Sequence, residues 1–324
     1  MSRNKDFKEL LPAFILAAVI LSGPIYLTNN YILTIICQGM IFSIVALGMN
    51  FITGMSGLMN LGAAAVYGLG AYTTALLTTT VGISPWLALL PVMVMGFLIG
   101  VGLGYPSLKV HGVYLSLATI GFNEIIRMLL TNLQFTGGGS GVRGIPPYSL
   151  FGFPINTPMR NYYFIFVAMV ICVAIARRIV RSKWGRAFLA VKDNPEALEV
   201  CGVSLASTKV AAFTLSAVFG CVGGALYAHF NHYVSPTTFR VDLSISFVIM
   251  LIVGGLGNFW GCIVGAFVVA LLPEAMRFIG TPYKLVYALL MMMLVVFFPG
   301  GIQREIKKLF LKLLAMGKGG ARSE

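Results

Sequence analysis

The sequence is poor in charge. Asp, Glu, Lys and Arg together make up only 10% of the 324 residues, whereas hydrophobic residues make up 58%. No charged residue and no histidine occurs from Leu10 to Leu108. A soluble domain needs charged residues on its surface, so this run excludes a water-soluble fold. It indicates successive membrane spans of about 20 residues each.

The sequence also lacks the motifs of common enzyme classes. It contains no G-x-x-x-x-G-K-[ST] phosphate loop, no H-E-x-x-H zinc motif and no G-x-S-x-G nucleophile motif. Its five cysteines are scattered without a C-x-x-C pair, so no disulfide framework is indicated. Basic loops between membrane spans explain the net charge of +13 better than nucleic-acid binding does. We therefore expect no nucleic-acid partner.

What the sequence does contain is a series of long apolar runs separated by Asn, Gly and Pro turns. They predict an all-α fold, a polytopic membrane helical bundle, with residues 1–324 forming a single transmembrane domain. We expect about ten spans, or eight if the glycine-rich third and eighth spans enter the bilayer without crossing it. The predicted spans are 10–28, 31–52, 58–80, 85–106, 112–133, 160–177, 207–231, 243–257, 260–279 and 284–300.

The basic residues indicate how the bundle is oriented. With the N terminus in the cytoplasm, 17 of the 23 Lys and Arg residues lie on the cytoplasmic side and five on the outer side. An even number of spans places the C terminus in the cytoplasm as well. The spans are interrupted by an outer Gly- and Pro-rich segment at 134–159 and by an inner basic segment at 177–207. A basic amphipathic tail at 302–324 is expected on the inner membrane surface.

Spans two to five and spans seven to ten form two blocks of four that start on opposite sides of the membrane. This order is typical of an inverted repeat. Glycines spaced four apart predict close helix packing within the bundle. These glycines are Gly96, Gly100 and Gly104, Gly220 and Gly224, and Gly257, Gly261 and Gly265.

The inner segment contains a short predicted helix. Asp193 or Asn194 can cap its first turn, and Pro195 suits the first helical position. Glu196 follows Asp193 by three residues, as in a capping box, and Gly202 supplies a stop. A plain helix on the membrane surface fits this pattern, and so does a helix whose apolar side faces a groove on a partner protein. Its apolar residues are Ala197, Leu198 and Cys201.

Stretches spread over most of the chain from about residue 45 to 301 resemble one transporter family. The stretches are 48–62, 68–72, 119–127, 136–138, 223–229, 235–236, 254–261, 273–274 and 299–301. In this order they resemble the LivM-type permease subunit of branched-chain amino acid ABC importers, and the inner helix resembles the coupling helix of such importers. Two positions depart from the family pattern and bear on the substrate. Ala63 replaces a common His, and Lys192-Asp193-Asn194 replaces a common Arg-Glu-Asn run.

The resemblance implies a permease subunit that translocates Leu, Ile or Val, delivered by a periplasmic binding protein. A second LivH-like permease subunit and two cytoplasmic ABC ATPases would complete the complex in the bacterial inner membrane. ATP and Mg would be bound by the ATPases, so this chain would hold no cofactor and would not itself be an enzyme. Urea and short amides are the alternative substrates within the family. The residues expected to couple to an ATPase are Asp193, Asn194, Pro195, Glu196, Ala197, Leu198 and Gly202.

Four polar residues within or beside the spans are candidates for lining the translocation path. Glu124 and Arg127 lie three apart on one helix face, where they can pair, and ionisable residues in a span are typical of functional sites. Ser56 and Asn60 interrupt an apolar region and would present polar groups to a cavity. The alternatives are a structural ion pair and a simple cytoplasmic turn.

The outer side carries two further groups of candidates. Four arginines are expected to dock the binding protein through guanidinium–carboxylate pairs, with lipid headgroup contact as the alternative. His229 and His232 lie three apart at the outer end of the seventh span, which is too few ligands for a zinc site. The four arginines are Arg143, Arg160, Arg240 and Arg277.

A secondary transporter driven by an ion gradient is the function class that competes with an importer subunit. Such transporters usually carry carboxylates inside their spans, and here only Glu124 is clearly embedded. A membrane-embedded enzyme comes third, because the chain lacks a catalytic motif.

Overall fold

The structure is a computed structural model that describes residues 30–110, 112–150, 153–276, 286 and 288–293. The first predicted span, Arg277 and the basic tail at 302–324 lie outside these residues. Of the tenth predicted span only 286 and 288–293 are described, and they are helical. We call the side that carries the 177–207 segment inner and the opposite side outer.

Each of the predicted spans two to nine corresponds to a helix. Two more helices form the inner segment, and the described parts of the outer loops contain four two-residue strands. The helices are α1 (Asn30–Met49), α2 (Ala63–Thr79), α3 (Pro85–Gly104), α4 (Val113–Asn132), α5 (Pro158–Arg181), α6 (Lys183–Asp193), α7 (Pro195–Val200), α8 (Leu205–Asn231), α9 (Val241–Gly254) and α10 (Phe259–Ala275). The strands are β1 (Val142–Arg143), β2 (Ser149–Leu150), β3 (Phe153–Pro154) and β4 (Tyr233–Val234). Short 3₁₀ turns cover Pro106–Leu108, Gln134–Thr136, Gly138–Ser140 and Pro236–Phe239.

Five helical segments among the described residues are long and apolar enough to cross a membrane. The apolar helices α9 and α10 are shorter, with 14 and 17 residues. The prediction of an all-α, polytopic membrane protein is confirmed. The segments of membrane length are Asn30–Met55, Pro85–Leu108, Val113–Asn132, Pro158–Arg181 and Leu205–Asn231.

Three predicted boundaries were wrong. The ninth span was expected to end at 279, but α10 ends at Ala275. The third span was expected from residue 58, but α2 begins only at Ala63, because the preceding backbone bonds to other helices instead of to its own turn. The sixth span was expected to end at 177, but α5 continues to Arg181. The last turn of α5 carries long basic side chains that reach the polar headgroup layer of the membrane. The helix can therefore continue beyond the hydrocarbon core.

The longest helix of the described residues, α8, packs against α1, α2 and α3. Glycine makes this close packing feasible. A Cβ atom at Gly100 of α3 would lie 2.4 Å from Cα of Thr214, and one at Gly224 of α8 would lie 2.0 Å from the carbonyl oxygen of Tyr67. Such distances exclude a side chain, so the packing role predicted for the spaced glycines is confirmed at these positions.

The outer loop is fastened to the bundle by the two histidines. Nδ1 of His229 lies 2.6 Å from the carbonyl oxygen of Pro146, and Nε2 lies 2.8 Å from Oγ1 of Thr74. A carbonyl can only accept, so Nδ1 carries the proton and Nε2 accepts from the threonine hydroxyl. His232 bonds in the same way to the carbonyl of Ile145, at 2.8 Å. Burial of the neighbouring Tyr148 raises the pKa of its phenol.

Candidate functional site

The chain enters α2 through six residues, 57–62, that are not helical. The N–H of Leu61 donates to Oγ1 of Thr119 at 3.0 Å, and the N–H of Gly62 donates to Oδ1 of Asn60 at 2.9 Å. In an apolar environment an unpaired backbone N–H costs several kcal/mol, so these side chains are what permits a helix to begin away from water.

The first turn of α2 is capped by side chains from two other helices. The N–H of Ala64 donates to Oγ of Ser244 in α9 at 2.8 Å, and the N–H of Ala65 donates to Oδ1 of Asn123 in α4 at 2.7 Å. Nδ2 of Asn123 in turn donates to the carbonyl of Phe239, directly before α9, at 3.3 Å. Both α2 and α9 therefore begin at one place, which we call the helix-start junction.

The helix-start junction lies near the middle of the bundle's depth. Asn123 is the eleventh of the 20 residues of α4. At about 1.5 Å per residue it lies roughly 15 Å from either end of this helix. Broken helices that begin at mid-depth are the structures that membrane transporters use to form binding sites. The junction is therefore the candidate site at which this chain would contact a transported solute.

Glu124 and Arg127, two of the four predicted path residues, lie beside this junction. Nε of Arg127 donates to Oε1 of Glu124 at 2.9 Å, and Nη2 of the same guanidinium contacts the same oxygen. Among the described residues neither side chain bonds to another helix, so the pair does not tie α4 to a neighbour. The two side chains are 26% and 37% exposed, for Arg127 and Glu124 respectively.

Ser56 and Asn60, the other two predicted path residues, do not meet Glu124 and Arg127. Both are only 3% exposed. The hydroxyl of Ser56 donates to the carbonyl of Phe51 at 2.9 Å, and Asn60 lines a cavity of about 10 Å³. A cavity of this size has room for about one water molecule and none for an amino acid.

The arginines expected to dock a binding protein lie in different places. Arg143 is exposed on β1 in the outer loop, with its guanidinium 5.5 Å from the centre of the Tyr233 ring. Arg160 is exposed in the first turn of α5. Arg240 was expected at the outer surface, but it immediately follows Phe239 and begins α9 at the helix-start junction. The 3₁₀ turn Pro236–Phe239 carries the chain inward, which the apolar pattern of the sequence does not reveal.

The inner segment forms two helices instead of one. The N-cap of α7 is Asn194, whose Oδ1 accepts the N–H of Ala197 at 3.0 Å. Asp193 ends α6, so the capping box expected between Asp193 and Glu196 is not formed. Glu196 still lies in the first turn, where its charge is favourable. Gly202 follows the helix with φ of +76°, and the predicted stop is confirmed.

The apolar side of α7 differs from the prediction. Leu198 is only 6% exposed, because it packs inside the chain against Ala187 and Val191 of α6. Val200, which was not predicted, is 89% exposed. Ala197 and Cys201 are exposed as expected. Leu198 therefore holds α7 onto α6, and the surface open to a partner consists of Ala197, Val200 and Cys201.

Helix α6 contacts a widened turn at the inner end of α1. Residues Asn50–Met55 continue α1 as a π-helix. Nζ of Lys192 donates to the carbonyl of Gly54 at 3.3 Å, and the ring of Phe188 lies 6.1 Å from that of Phe51. Oδ1 of Asn50 accepts the N–H of Gly257, in the turn between α9 and α10, at 3.2 Å. The π-helix thus connects the inner helices to α9 and α10, and π-helical turns are frequent at functional sites.

Sequence reasoning missed the residues that form the junction and the π-helix contacts. The available signal was a set of small polar side chains inside otherwise apolar runs. Such residues are expensive in a membrane unless they bond to other parts of the protein. These residues are Asn50, Thr119, Asn123 and Ser244, whereas Lys192 lies in the basic inner segment and carried no such signal. No group of three or more His, Cys, Asp or Glu side chains that could hold a metal occurs in the described part of the chain.

Comparison with known proteins gives one clear family. Residues 31–298 match the family described as the permease component of the branched-chain amino acid transport system. The chain is 31% identical over 287 residues to the high-affinity branched-chain amino acid permease protein LivM of Escherichia coli, covering 81% of this chain and 68% of that protein. It is 22% identical over 238 residues to a probable LivM of Methanocaldococcus jannaschii, covering 68% of each.

Another permease of the same archaeon also matches. The probable branched-chain amino acid permease LivH of Methanocaldococcus jannaschii is 24% identical over 221 residues, which covers 62% of this chain and 66% of that protein. No solved structure matches the chain.

Proposed function

The chain belongs to the family of branched-chain amino acid transport permease components, and we propose that it translocates Leu, Ile and Val across the bacterial inner membrane. A binding protein in the periplasm would deliver the amino acid. The relative from Escherichia coli carries this substrate class in its name. The observation that supports the proposal best is the ion pair of Glu124 and Arg127 beside two helix starts at mid-depth.

The amino acids in question suit this arrangement chemically. Each carries one positive and one negative charge close together, and neither charge can enter hydrocarbon cheaply. A path that offers both signs of charge lowers the cost of desolvating such a solute. The urea alternative needs hydrogen-bonding groups but no charge, so the ion pair favours the amino acids.

The energy for transport would come from partner subunits. We propose a second, LivH-like permease and two ABC ATPases that hold ATP and Mg, with no cofactor on this chain. Helix α7 would dock to an ATPase through its exposed side chains Ala197, Val200 and Cys201, and Leu198 would act indirectly by holding α7 in place. The cap at Asn194, Pro195 and Glu196 would set the direction of this helix.

The binding protein would dock on the outer side. Arg143 supports this role because its guanidinium lies over the Tyr233 ring on an exposed strand, where a carboxylate can approach it. Arg160 is the second exposed candidate, and Arg277 lies outside the described residues. The expected partners are acidic side chains on the rim of the binding protein.

The proposed function is tested by an uptake panel. A strain that lacks this gene and its close homologues should take up radiolabelled Leu, Ile and Val slowly, and the restored gene should recover the rate. Urea uptake should not change. Recovery of urea uptake without leucine uptake would contradict the assignment of the substrate.

Purification and reconstitution separate an importer from a gradient-driven transporter. A tagged version of the chain should co-purify with a second permease and an ATPase, and the purified chain alone should transport nothing in proteoliposomes. Leucine uptake by the chain alone, driven by an ion gradient, would exclude the importer.

A further inference from the structure

Three charged residues occur together where α9 begins. Nε of Arg240 lies 3.6 Å from Oδ2 of Asp242, and these side chains are 67% and 81% exposed. The third charged residue is Glu124 of α4. The hydrogen bond from Asn123 to the carbonyl of Phe239 explains this proximity, since Asn123 precedes Glu124 and Phe239 precedes Arg240.

The depth of these charges limits what can lie next to them. They begin α9 beside the middle of α4, about 15 Å from its ends. Charged side chains at such a depth face the interior of a bundle or a water-filled cavity and avoid lipid. The exposed faces of Arg240 and Asp242 are therefore turned toward water or protein in the membrane.

The chemistry of the cluster matches the head group of an amino acid. Arg240 offers a guanidinium fork for a carboxylate, and the first turn of α9 adds the positive end of a helix that no side chain caps. Asp242 and Glu124 offer carboxylates for an ammonium group. Arg127 holds Glu124 through its Nε.

An aliphatic side chain lies next to these charges. Ile245 follows Asp242 by three residues and so lies on the same face of α9. It is a large apolar side chain that remains exposed, at 44%. A branched aliphatic side chain of a solute has an apolar surface of the kind that Ile245 would cover.

We propose that Arg240 and Asp242, together with Glu124, form the subsite that binds the carboxylate and ammonium groups of the amino acid during translocation. Ile245 contacts its aliphatic side chain. This inference rests on the proposed function, because it assumes that the solute is an amino acid. It gives Arg240 a role in the membrane instead of on the docking surface.

The test uses the assembled importer in proteoliposomes, with ATP and leucine-loaded binding protein. Two rates are measured: leucine uptake, and the stimulation of ATP hydrolysis by the binding protein. In R240Q and in D242N we expect leucine uptake to fall at least tenfold while the stimulation of ATP hydrolysis stays within twofold of the unsubstituted complex. R240K keeps the positive charge but loses the guanidinium fork, so its leucine uptake should lie between that of R240Q and that of the unsubstituted complex.

Arg143 provides the contrasting variant. R143Q should lower the stimulation of ATP hydrolysis and leucine uptake in the same proportion, because it weakens docking. If R240Q behaves like R143Q, or if R240Q but not R240K fails to assemble with the second permease, the subsite is overturned. Normal leucine uptake in R240Q and D242N would overturn it as well. Absence of leucine uptake by the unsubstituted complex would instead contradict the proposed function.

Discussion

At the scale of single residues, Asn123 has the most demanding position in the described structure. Its oxygen accepts from the N–H of Ala65 at 2.7 Å and from the hydroxyl of Ser244 at 3.4 Å, and its nitrogen donates to the carbonyl of Phe239. The side chain is fully buried. One amide thus satisfies the starts of two helices, and no smaller or apolar side chain can do so.

Replacing this amide should destabilise the protein. In Asn123→Ala the N–H of Ala65 and the carbonyl of Phe239 lose their partners, at a cost of about 1–3 kcal/mol for a buried unsatisfied group. We expect a lower midpoint temperature of unfolding in detergent. Asn132→Ala is the matched control, because Asn132 is exposed and bonds only within its own helix, to Met128 at 2.8 Å. Equal midpoints for the two variants would show that the junction does not depend on this side chain.

At the scale of elements, the contact between α3 and α8 is set by glycine. Gly96, Gly100 and Gly104 all face the backbone of α8, whereas Gly102 on the same helix has no atom within 4 Å of where its Cβ would lie. Without a hydrophobic driving force between helices in lipid, close backbone approach is what holds such a pair together.

The same helix offers a matched pair of substitutions. In Gly100→Ala the new methyl group would lie 2.4 Å from Cα of Thr214, so the helices must separate, at a cost of about 1–3 kcal/mol for overpacking. Gly102→Ala adds the same atom into open space. We expect a reduced yield of folded protein in size-exclusion chromatography for Gly100→Ala only. A normal yield for Gly100→Ala would mean that α3 is free to shift.

At the scale of the whole molecule, contacts connect the inner helices to the helix-start junction. Lys192 of α6 bonds to the π-helix, and Asn50 of the π-helix bonds to Gly257 after α9. Helix α9 then runs from Gly254 back to Ser244 at the junction. A movement of α6 therefore has a continuous route to the place where α2 and α9 begin.

Loss of the bond from Lys192 to the π-helix, the first contact on this route, should weaken the coupling of ATP hydrolysis to transport. In Lys192→Met we expect ATP hydrolysis by the assembled importer to continue while the number of leucine molecules transported per ATP falls about threefold. Lys183→Met is the control, since Lys183 is exposed at the start of the same helix. An unchanged ratio in Lys192→Met would exclude this contact from energy transfer.

The sequence predicted the helices better than it predicted where they begin. Apolar runs and turn residues were sufficient for spans two to nine, and Gly202 was sufficient for the end of α7, because these signals are local. The start of α2 depends on Asn123 and Ser244. These side chains accept hydrogen bonds from backbone N–H groups that are 58 and 180 residues away in the sequence. Likewise, the burial of Leu198 depends on α6, whose separate existence the sequence did not show.

The candidate site was predictable only in part. Glu124 and Arg127 were identified and do pair, because a spacing of three on a helix is itself sufficient for contact. Arg240 was assigned to the outer surface, because hydropathy does not report that a loop turns inward.

The bond between Lys192 and Gly54 has a genetic consequence. Its acceptor is a main-chain carbonyl, so a codon change at position 54 cannot remove the oxygen, although any side chain there would meet Asn50 at 1.9 Å. Only the donor, the lysine, is a side chain. The two positions therefore cannot exchange donor and acceptor, as the members of an ion pair can. Second-site suppressors of a lysine mutant should therefore alter the path of the main chain around residues 50–57 instead of supplying a new partner.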